Sequence, residues 1–184
     1  MRLIHTLLDE ASLLHGENIA IEDPNSHLTY DQLNHRSRLV ANALLDLNIK
    51  MGDRVAILSP NCADYLVLQY AVSRLGGILE VLNTRHVTDE LSYALNNAEA
   101  SCLFIHQDCI EHLQALESCP SIKFSIGLGK ITDCKYNLNE LLNKTSFSEL
   151  SMSISNKTPA VLMFTSGTTG KPKGAIQNQE NSVQ

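Results

Sequence analysis

Several residue types are scarce in this sequence, and each scarcity excludes a class of protein. The 184 residues contain no tryptophan, and only 5% of them are aromatic. No apolar run approaches the roughly 18 residues that a membrane-spanning helix needs. Lysine and arginine together number 14 against 20 aspartates and glutamates, which gives a net charge of -6. Because nucleic-acid binding requires clustered positive charge, this balance argues against a nucleic-acid partner.

The cysteine count and the opening residues indicate a cytoplasmic protein. The five cysteines are an odd number, which favours free thiols in a reducing compartment over a disulfide framework. The opening stretch, MRLIHTLLDEASLLHG, has apolar residues at helical spacing, and Asp9 and Glu10 interrupt its apolar character. It therefore predicts an amphipathic helix rather than a signal peptide.

Residues 18–47 predict a short hairpin followed by a helix. The segments NIAIE and HLTY flank the turn-rich tetrapeptide DPNS, a pattern typical of a β-hairpin. Thr29 stands three residues before Gln32, so the two side chains can form a capping box at the start of a helix. Apolar residues at Leu33, Val40 and Leu44 then give this helix one apolar face.

From residue 54 onward, short apolar strands alternate with helices. The strands are predicted at Arg54–Leu58, Ile78–Leu82, Ser101–Ile105 and Ile122–Ile126. Helices are predicted at 62–75, at 89–97 with Thr88 as the N-cap, and at 110–118. Buried strands separated by helices of this length indicate an α/β fold with a mainly parallel sheet and helices on its faces.

The last 40 residues change character. Between Thr145 and Thr158 half of the residues are serine or threonine, which predicts a surface connection. A continuous apolar run, AVLMF (Ala160–Phe164), then leads directly into TSGTTGKPKG. No internal repeat is present.

The segment TSGTTGKPKG has the composition of a loop that binds phosphate. Its glycines allow close approach of the backbone, its hydroxyls and amides are hydrogen-bond donors, and its lysines are positively charged. It is not a Walker A loop, because Thr165 and Pro172 occupy the positions that require glycine and a hydroxyl residue. A flexible surface hairpin is the alternative. The candidate phosphate-binding residues are Thr165, Ser166, Gly167, Thr168, Thr169, Gly170, Lys171 and Lys173.

This segment closely resembles the Ser/Thr/Gly-rich phosphate loop of the adenylate-forming superfamily, which includes acyl-CoA synthetases, luciferases and nonribosomal peptide adenylation domains. The resemblance continues upstream through LTYDQLNHRSRLVANAL, GDRVAILSPNCADYLVLQYAVSRLGGILEVLNTR and DELSYALNNAEASCLFI. It covers about Leu28 to Gly174. The second of these segments resembles the corresponding stretch of fatty-acyl-CoA synthetases.

The resemblance implies a function for the complete enzyme. Such enzymes activate a carboxylic acid with ATP and Mg²⁺ to an acyl-adenylate, release pyrophosphate, and pass the acyl group to coenzyme A. The role of holding the departing β- and γ-phosphates is carried over to Thr165–Gly170, with Lys171 and Lys173 nearby. Residues 1–184 would then be an incomplete N-terminal AMP-binding domain, with an α/β portion (1–144), a connection (145–158) and the strand with its loop (159–174).

The sequence also departs from the family pattern. A Ser/Thr-His-x-Asn element is expected shortly after the loop, but Asn178 and Gln179 stand at its first two positions. The adenine, ribose, Mg²⁺ and carboxylate sites and the small C-terminal domain have no counterpart in these residues. We therefore expect no catalytic residue in this chain, no complete reaction from it alone, and exposed apolar surface with poor solubility. The alternative is a non-catalytic remnant or a weak nucleotide-binding module.

Two other motifs suggest binding sites but have simpler interpretations. Cys102, His106, Cys109 and His112 have spacings that zinc could use, although the first lies in a predicted buried strand and the metal interpretation is disfavoured. The stretch GLGKIT (127–132) has only two of the glycines of a dinucleotide fingerprint, so a turn at the end of a strand is predicted. No chemistry is assigned to Arg85 and His86.

Overall fold

The computed structural model describes residues 2–24, 26–165 and 172–183. The helices are α1 (Ile4–His15), α2 (Tyr30–Asp46), α3 (Ala63–Leu75), α4 (Thr88–Ala98), α5 (Leu113–Glu117) and α6 (Leu138–Lys144), with a 3-10 helix at Gln107–His112. The strands are β1 (Ile19–Asp23), β2 (Ser26–Thr29), β3 (Arg54–Leu58), β4 (Ile78–Val81), β5 (Cys102–His106), β6 (Phe124–Leu128), β7 (Tyr136–Asn137), β8 (Pro159–Thr165) and β9 (Lys173–Asn178).

Seven of the described strands form one sheet in the order β7-β6-β5-β3-β4-β8-β9. Neighbouring strands are parallel from β7 to β8, and the last pair, β8 and β9, is antiparallel. The predicted α/β fold with a mainly parallel sheet is confirmed.

Both faces of the sheet are covered by helices, which explains why its strands are apolar at successive positions. Val55 and Ile57 of β3 belong to a core cluster that also contains residues of α1, α2, α3 and α6. Ala56 and Leu58 of the same strand face a second cluster with residues of α4 and α5. Side chains alternate between the faces of a strand, so a strand buried on both sides must be apolar throughout.

Local signals near the N-terminus behave as predicted. Strands β1 and β2 form an antiparallel hairpin. The Thr29–Gln32 capping box is confirmed, since the Gln32 amide donates to Thr29 Oγ1 (3.3 Å) and the Thr29 amide donates to Gln32 Oε1 (2.9 Å). These hydrogen bonds satisfy two amides that the first turn of α2 would otherwise leave without a partner.

The prediction that Thr88 caps α4 is wrong. The helix begins at Thr88 itself, and Val87 is the N-cap. The Glu90 carboxylate accepts a hydrogen bond from the Val87 amide (3.1 Å). The Thr88 hydroxyl instead lies 2.7 Å from Nδ1 of His112, so a tertiary contact competes with the local cap.

The strand predicted at Ile122–Ile126 lies two residues later, at Phe124–Leu128. The Ile122 amide donates a hydrogen bond to the Cys119 carbonyl (3.0 Å). Because Ile122 takes part in this turn, the strand begins after it. The helix predicted at 110–118 is divided between the 3-10 helix and α5.

The short elements β7 and α6 and the edge strand β9 carry no clear sequence signal and were not predicted. Residues 145–155 contain no helix or strand, although Ile154 is buried within them. Most residues of β9 are exposed, and Ile176 retains 62% of its accessible surface. None of the helices among the described residues is long and apolar enough to cross a bilayer.

Candidate functional site

The candidate phosphate loop lies in the chain between β8 and β9, the last two strands in the order of the sheet. Strand β8 is buried over Ala160–Leu162 and runs parallel to β4, and its last residue, Thr165, pairs with Lys173, the first residue of β9. The connection between them therefore begins at the carboxyl edge of the parallel strands. In open α/β sheets, ligands bind at this edge.

The structure describes two of the eight predicted phosphate-binding residues, and it brings them together. The Thr165 hydroxyl donates to the Lys173 carbonyl (3.4 Å). Lys173 is exposed, and among the described residues its ammonium group forms no ion pair. The remaining six, Ser166, Gly167, Thr168, Thr169, Gly170 and Lys171, lie outside the described residues.

Gly174 lets the two strands of the hairpin pack closely. A Cβ atom at this position would lie 3.0 Å from Cδ1 of Leu162 and 3.4 Å from Cζ of Phe164. The Phe164 ring makes an edge-to-face contact with Tyr93 of α4, with ring centroids 6.4 Å apart. The last residues before the loop are thus held against the helical layer, and a side chain at position 174 would disturb that packing.

The far end of the hairpin is anchored by Gln179, a residue for which the resemblance predicts histidine. Its side chain is fully buried, and Oε1 accepts hydrogen bonds from the Ile4 amide (3.0 Å) and from the Ser73 hydroxyl (3.1 Å). These bonds join the end of β9 to α1 and α3. Their partners lie 175 and 106 residues away in sequence, so no local pattern could have identified this role.

Asn178, where the resemblance predicts a hydroxyl residue, accepts hydrogen bonds within the turn that follows β9. Its Oδ1 accepts a hydrogen bond from the Asn181 amide (2.8 Å), three residues later. Its carbonyl accepts one from the Ser182 hydroxyl (3.0 Å). The side chain and the carbonyl of Asn178 therefore both stabilise the turn that follows β9.

A buried carboxyl group lies on the strand beside the hairpin. Glu80 of β4 is opposite Leu162 of β8, and it is 0% exposed. Neither of its carboxyl oxygens has a hydrogen-bond partner among the described residues. Burial raises the pKa of Glu80 to about 8, and the positive charge of Arg54 offsets only part of the rise. Burial without a partner therefore favours the neutral acid at this position.

The β8–β9 hairpin has chemical groups that suit a phosphate-bearing ligand. It holds one exposed cation, Lys173, at the base of a loop whose sequence is rich in hydroxyl and amide donors. Phosphate oxygens accept hydrogen bonds from such donors and are stabilised by a nearby cation.

The four possible zinc ligands do not form a site. Cys102 points into the core cluster on the α2 side of the sheet, whereas Cys109 belongs to the cluster on the α4 side. The His112 ring contacts the Thr88 hydroxyl, as described above. No group of three or more His, Cys, Asp or Glu residues within the described ranges could hold a metal ion.

The stretch GLGKIT forms a turn at the end of a strand, as predicted. Gly127 and Leu128 complete β6, and Gly129 follows with φ of +85°. A Cβ atom on Gly129 would lie 2.8 Å from Oε1 of Gln107. The glycine is thus required by the turn and by the close approach of Gln107.

Comparison with known families and proteins gives a consistent result. The sequence profile of the family described as "AMP-binding enzyme" matches residues 8–184. The chain is 30% identical to the acyl-CoA ligase sidI of Beauveria bassiana over 96% of its length and 33% of the relative's. It is 32% identical to a 2-succinylbenzoate–CoA ligase of Oceanobacillus iheyensis, covering 96% of this chain and 34% of the relative. The chain thus spans about a third of the length of these curated relatives.

Solved structures share the fold. The N-terminal domain of FACL13 from Mycobacterium tuberculosis, solved with an inhibitor, superimposes with a TM-score of 0.85 at 28% identity, over 98% of this chain and 45% of that one. The anthranilate CoA ligase AuaEII, solved with anthranoyl-AMP, gives a TM-score of 0.92 at 22% identity, over 97% of this chain and 35% of that one. The second similarity concerns the fold alone.

Proposed function

Since this chain belongs to the AMP-binding enzyme family, we propose that it forms the phosphate-binding N-terminal part of an AMP-forming acyl-CoA ligase. In the complete enzyme, a carboxylic acid reacts with Mg-ATP to give an acyl-adenylate and pyrophosphate, and coenzyme A then takes the acyl group. A fatty acid is the proposed substrate, because the upstream sequence resembles fatty-acyl-CoA synthetases. Residues 1–144 form the α/β portion, 145–158 a connection and 159–174 the strand with its loop.

One observation carries this proposal. The buried parallel strand β8 ends at Thr165 directly opposite Lys173, so the intervening segment begins and ends at the carboxyl edge of the sheet. We propose that Thr165–Gly170 donate hydrogen bonds to the β- and γ-phosphates, while Lys171 and Lys173 balance their charge. These groups stabilise the charge that develops as pyrophosphate departs, and they hold the nucleotide in position for in-line attack.

The 184 residues alone are not expected to complete the reaction. The sites for adenine, ribose, Mg²⁺ and the carboxylate that the resemblance implies have no counterpart among these residues, and the curated relatives are about three times as long as the matched region. We assign no described residue to Mg²⁺. The alternative is a non-catalytic remnant or a weak nucleotide-binding module, and it is favoured if the cell makes only these 184 residues.

ATP–pyrophosphate exchange on the longest native form of the protein tests the proposal. The assay compares fatty acids of several lengths with aromatic acids. We expect exchange that depends on a fatty acid, and we expect Lys173→Gln to reduce its rate by about a hundredfold, which is typical of removing one group that stabilises transition-state charge. Lys157→Gln, which removes an exposed lysine of the connection, serves as the matched control.

The outcomes separate the two functions. Exchange with aromatic acids only would retain the ligase and reject the fatty substrate. If no acid supports exchange and the native species is no longer than 184 residues, the result would support the non-catalytic remnant instead of the ligase. Equal losses in Lys173→Gln and Lys157→Gln would reject the assignment of Lys173 to phosphate.

A further inference from the structure

The proposed phosphate loop leaves unused a second cavity at the carboxyl edge of the sheet. This cavity has a volume of about 540 Å³, which lies within the range typical of small-molecule sites. It is formed by the segments that follow three parallel strands: Cys62–Asp64 after β3, His106 and Gln107 at the end of β5, and Gly129 and Lys130 after β6. We name it the switch-point cavity.

The name reflects where the cavity lies in the strand order. From β3 the chain continues to its neighbour β4 on one side, then returns past β3 to β5 on the other side and continues outward to β6 and β7. The connections from β3 and β5 leave on opposite faces, through α3 and through the 3-10 helix with α5. A crevice opens between two such strands at their carboxyl ends, and ligands of open α/β sheets bind there.

The cavity is separate from the loop after β8. Strand β4 lies between β8 and β3 in the sheet, so the carboxyl ends of β8 and β3 are about 10 Å apart at the usual spacing of neighbouring strands. His106 lies at the end of β5 and Lys130 follows β6. Both of these strands are farther from β8 than β3 is.

The acidic groups of the cavity are occupied by donors of the protein itself. Asp23 accepts hydrogen bonds from the amides of Ser26 (2.8 Å) and Ala63 (2.8 Å) and from the Ser26 hydroxyl (3.2 Å). Asp64 accepts two from Arg36, at 3.1 Å from Nε and 2.9 Å from Nη2. Both oxygens of Asp23 thus accept hydrogen bonds, whereas both bonds to Asp64 end on Oδ1 and leave its Oδ2 available among the described residues.

The donors of the cavity are less occupied. The Lys130 amide donates to Oε1 of Gln107 (3.1 Å), but the Lys130 ammonium has no ion pair within the described residues. His106 Nδ1 lies 3.2 Å from the Asp108 amide nitrogen and 3.4 Å from Asp108 Oδ2, so both contacts use Nδ1 and leave Nε2 available to a ligand. Arg36 binds Asp64 and Asn139 through Nε and Nη2, so its Nη1 is a further N–H donor.

We propose that the switch-point cavity binds a small molecule through a phosphate or carboxylate group, with Lys130 as the principal cation. The Lys130 ammonium and the remaining N–H groups of Arg36 outnumber the one carboxylate oxygen still available, Oδ2 of Asp64, and this balance favours an anionic group. Ligands of open α/β sheets bind in the crevice between two strands such as β3 and β5. The cavity is thus a second ligand site, independent of the proposed phosphate loop and of whether the chain supports adenylation.

Residue-resolved NMR titration of the full chain, labelled with ¹⁵N, tests this proposal. Inorganic phosphate is titrated in one series and succinate in another, at constant ionic strength. We expect saturable shifts at the amides of Gln107, Gly129 and Lys130 with at least one anion, and the anion that binds more tightly identifies the group. Phosphate binding at the loop is seen separately, at Thr165 and Lys173.

Three variants make the test specific. Lys130→Gln is expected to weaken binding at the cavity by about tenfold, whereas Lys130→Arg retains it because the charge is kept. Lys157→Gln removes an equally exposed lysine outside the cavity and is expected to leave binding unchanged. The proposal is overturned if neither anion causes saturable shifts at the cavity amides, or if Lys130→Gln and Lys157→Gln weaken binding equally.

Discussion

The helical layer on one side of the central sheet and the sheet itself each bury an ionisable residue, and the two residues differ in their partners. Arg74 of α3 is 7% exposed, and Glu80 of β4 is 0% exposed. Arg74 is surrounded by partners from two other helices. Glu80 has none among the described residues.

Arg74 joins the first three helices through a network of hydrogen bonds. Its guanidinium group donates to both carboxylate oxygens of Asp9 (3.1 and 2.9 Å), to Oδ1 of Asn34 (2.6 Å) and to the Ser37 hydroxyl (3.2 Å). Burial alone would raise the pKa of Asp9, but the hydrogen bonds and charges of Arg74 and Arg38 lower it. Here the protein retains both charges and pairs them.

Glu80 is buried without a partner, and it is stabilised as the neutral acid instead. Its pKa of about 8 means that it is neutral over most of the physiological range, because an isolated charge in a low-dielectric interior is far costlier than the neutral acid. The difference shows that burial by itself does not decide whether a group stays charged. Partners contributed by other elements decide it.

The largest effect is expected from breaking the paired region. Asp9→Asn leaves the Arg74 guanidinium buried without its counter-charge, and we expect a loss of about 3–5 kcal/mol in the free energy of unfolding. Urea denaturation monitored by circular dichroism measures the change.

A double variant checks the reason for that loss. Asp9→Leu combined with Arg74→Met removes both charges together, and it should recover most of the stability if the unpaired arginine is the cause. A loss below about 1 kcal/mol in Asp9→Asn would show that Asn34 and Ser37 suffice to stabilise the guanidinium group.

A substitution of Glu80 is expected to change the free energy of unfolding by a smaller amount and in the opposite direction, as a gain. Glu80→Met replaces a buried acid that lacks partners with an unbranched apolar side chain, so we expect a gain of about 1–3 kcal/mol in the free energy of unfolding near pH 6.5. Glu140→Met, at an exposed position of α6, is the control and should change stability little.

Glu80 also predicts a pH dependence. Its pKa rises from 4.5 in the unfolded chain to about 8 in the folded one, so the folded state binds more protons between these values and stability falls as the pH increases. The slope is at most about 1.4 kcal/mol per pH unit. Urea midpoints at pH 6.5 and 8 should differ in the wild type and become nearly equal in Glu80→Met.

The smallest effect is expected at His5, beside the paired region. Burial and then the charge of Arg74 lower the pKa of His5 from 6.5 to about 4, so the unfolded chain binds more protons between these values. Stability therefore falls as the pH decreases from 6.5 towards 4, opposite in sign to the effect of Glu80.

His5→Asn is expected to remove this acid-side loss while keeping a polar group near Ser73, whose hydroxyl lies 3.0 Å from His5 Nδ1. The measurement is the urea midpoint from pH 4 to 6.5 in a Glu80→Met background, where the opposing slope is absent. His15→Asn, at an exposed position of the same helix, should retain the wild-type profile. An unchanged slope in His5→Asn would assign the acid-side loss to other groups.

The same distinction between local and distant partners explains which elements could be predicted. The Thr29–Gln32 capping box and the β1–β2 hairpin depend on residues within a few positions of one another, and both are present. The cap at Thr88 was predicted by the same local rule and is wrong, because His112, 24 residues away, takes the hydroxyl.

In the candidate site, the sequence identified the loop by its composition and its resemblance to a family, and the match to residues 8–184 supports that family. The anchor of the hairpin was missed. Gln179 could be seen only as a departure from the expected histidine, since the Ile4 amide and the Ser73 hydroxyl that it binds come from the first and third helices.

The amino-acid sequence by itself determined the α/β class, the alternation of strands and helices, and the position of the glycine- and lysine-rich loop. These follow from periodicity, turn residues and composition, which act over a few residues. Tertiary structure alone decided that Arg74 is paired and Glu80 is not, and that Gln179 anchors the hairpin. Each of these depends on which distant groups the packed sheet brings within hydrogen-bonding distance, and the dielectric environment that the packing creates then sets their charge.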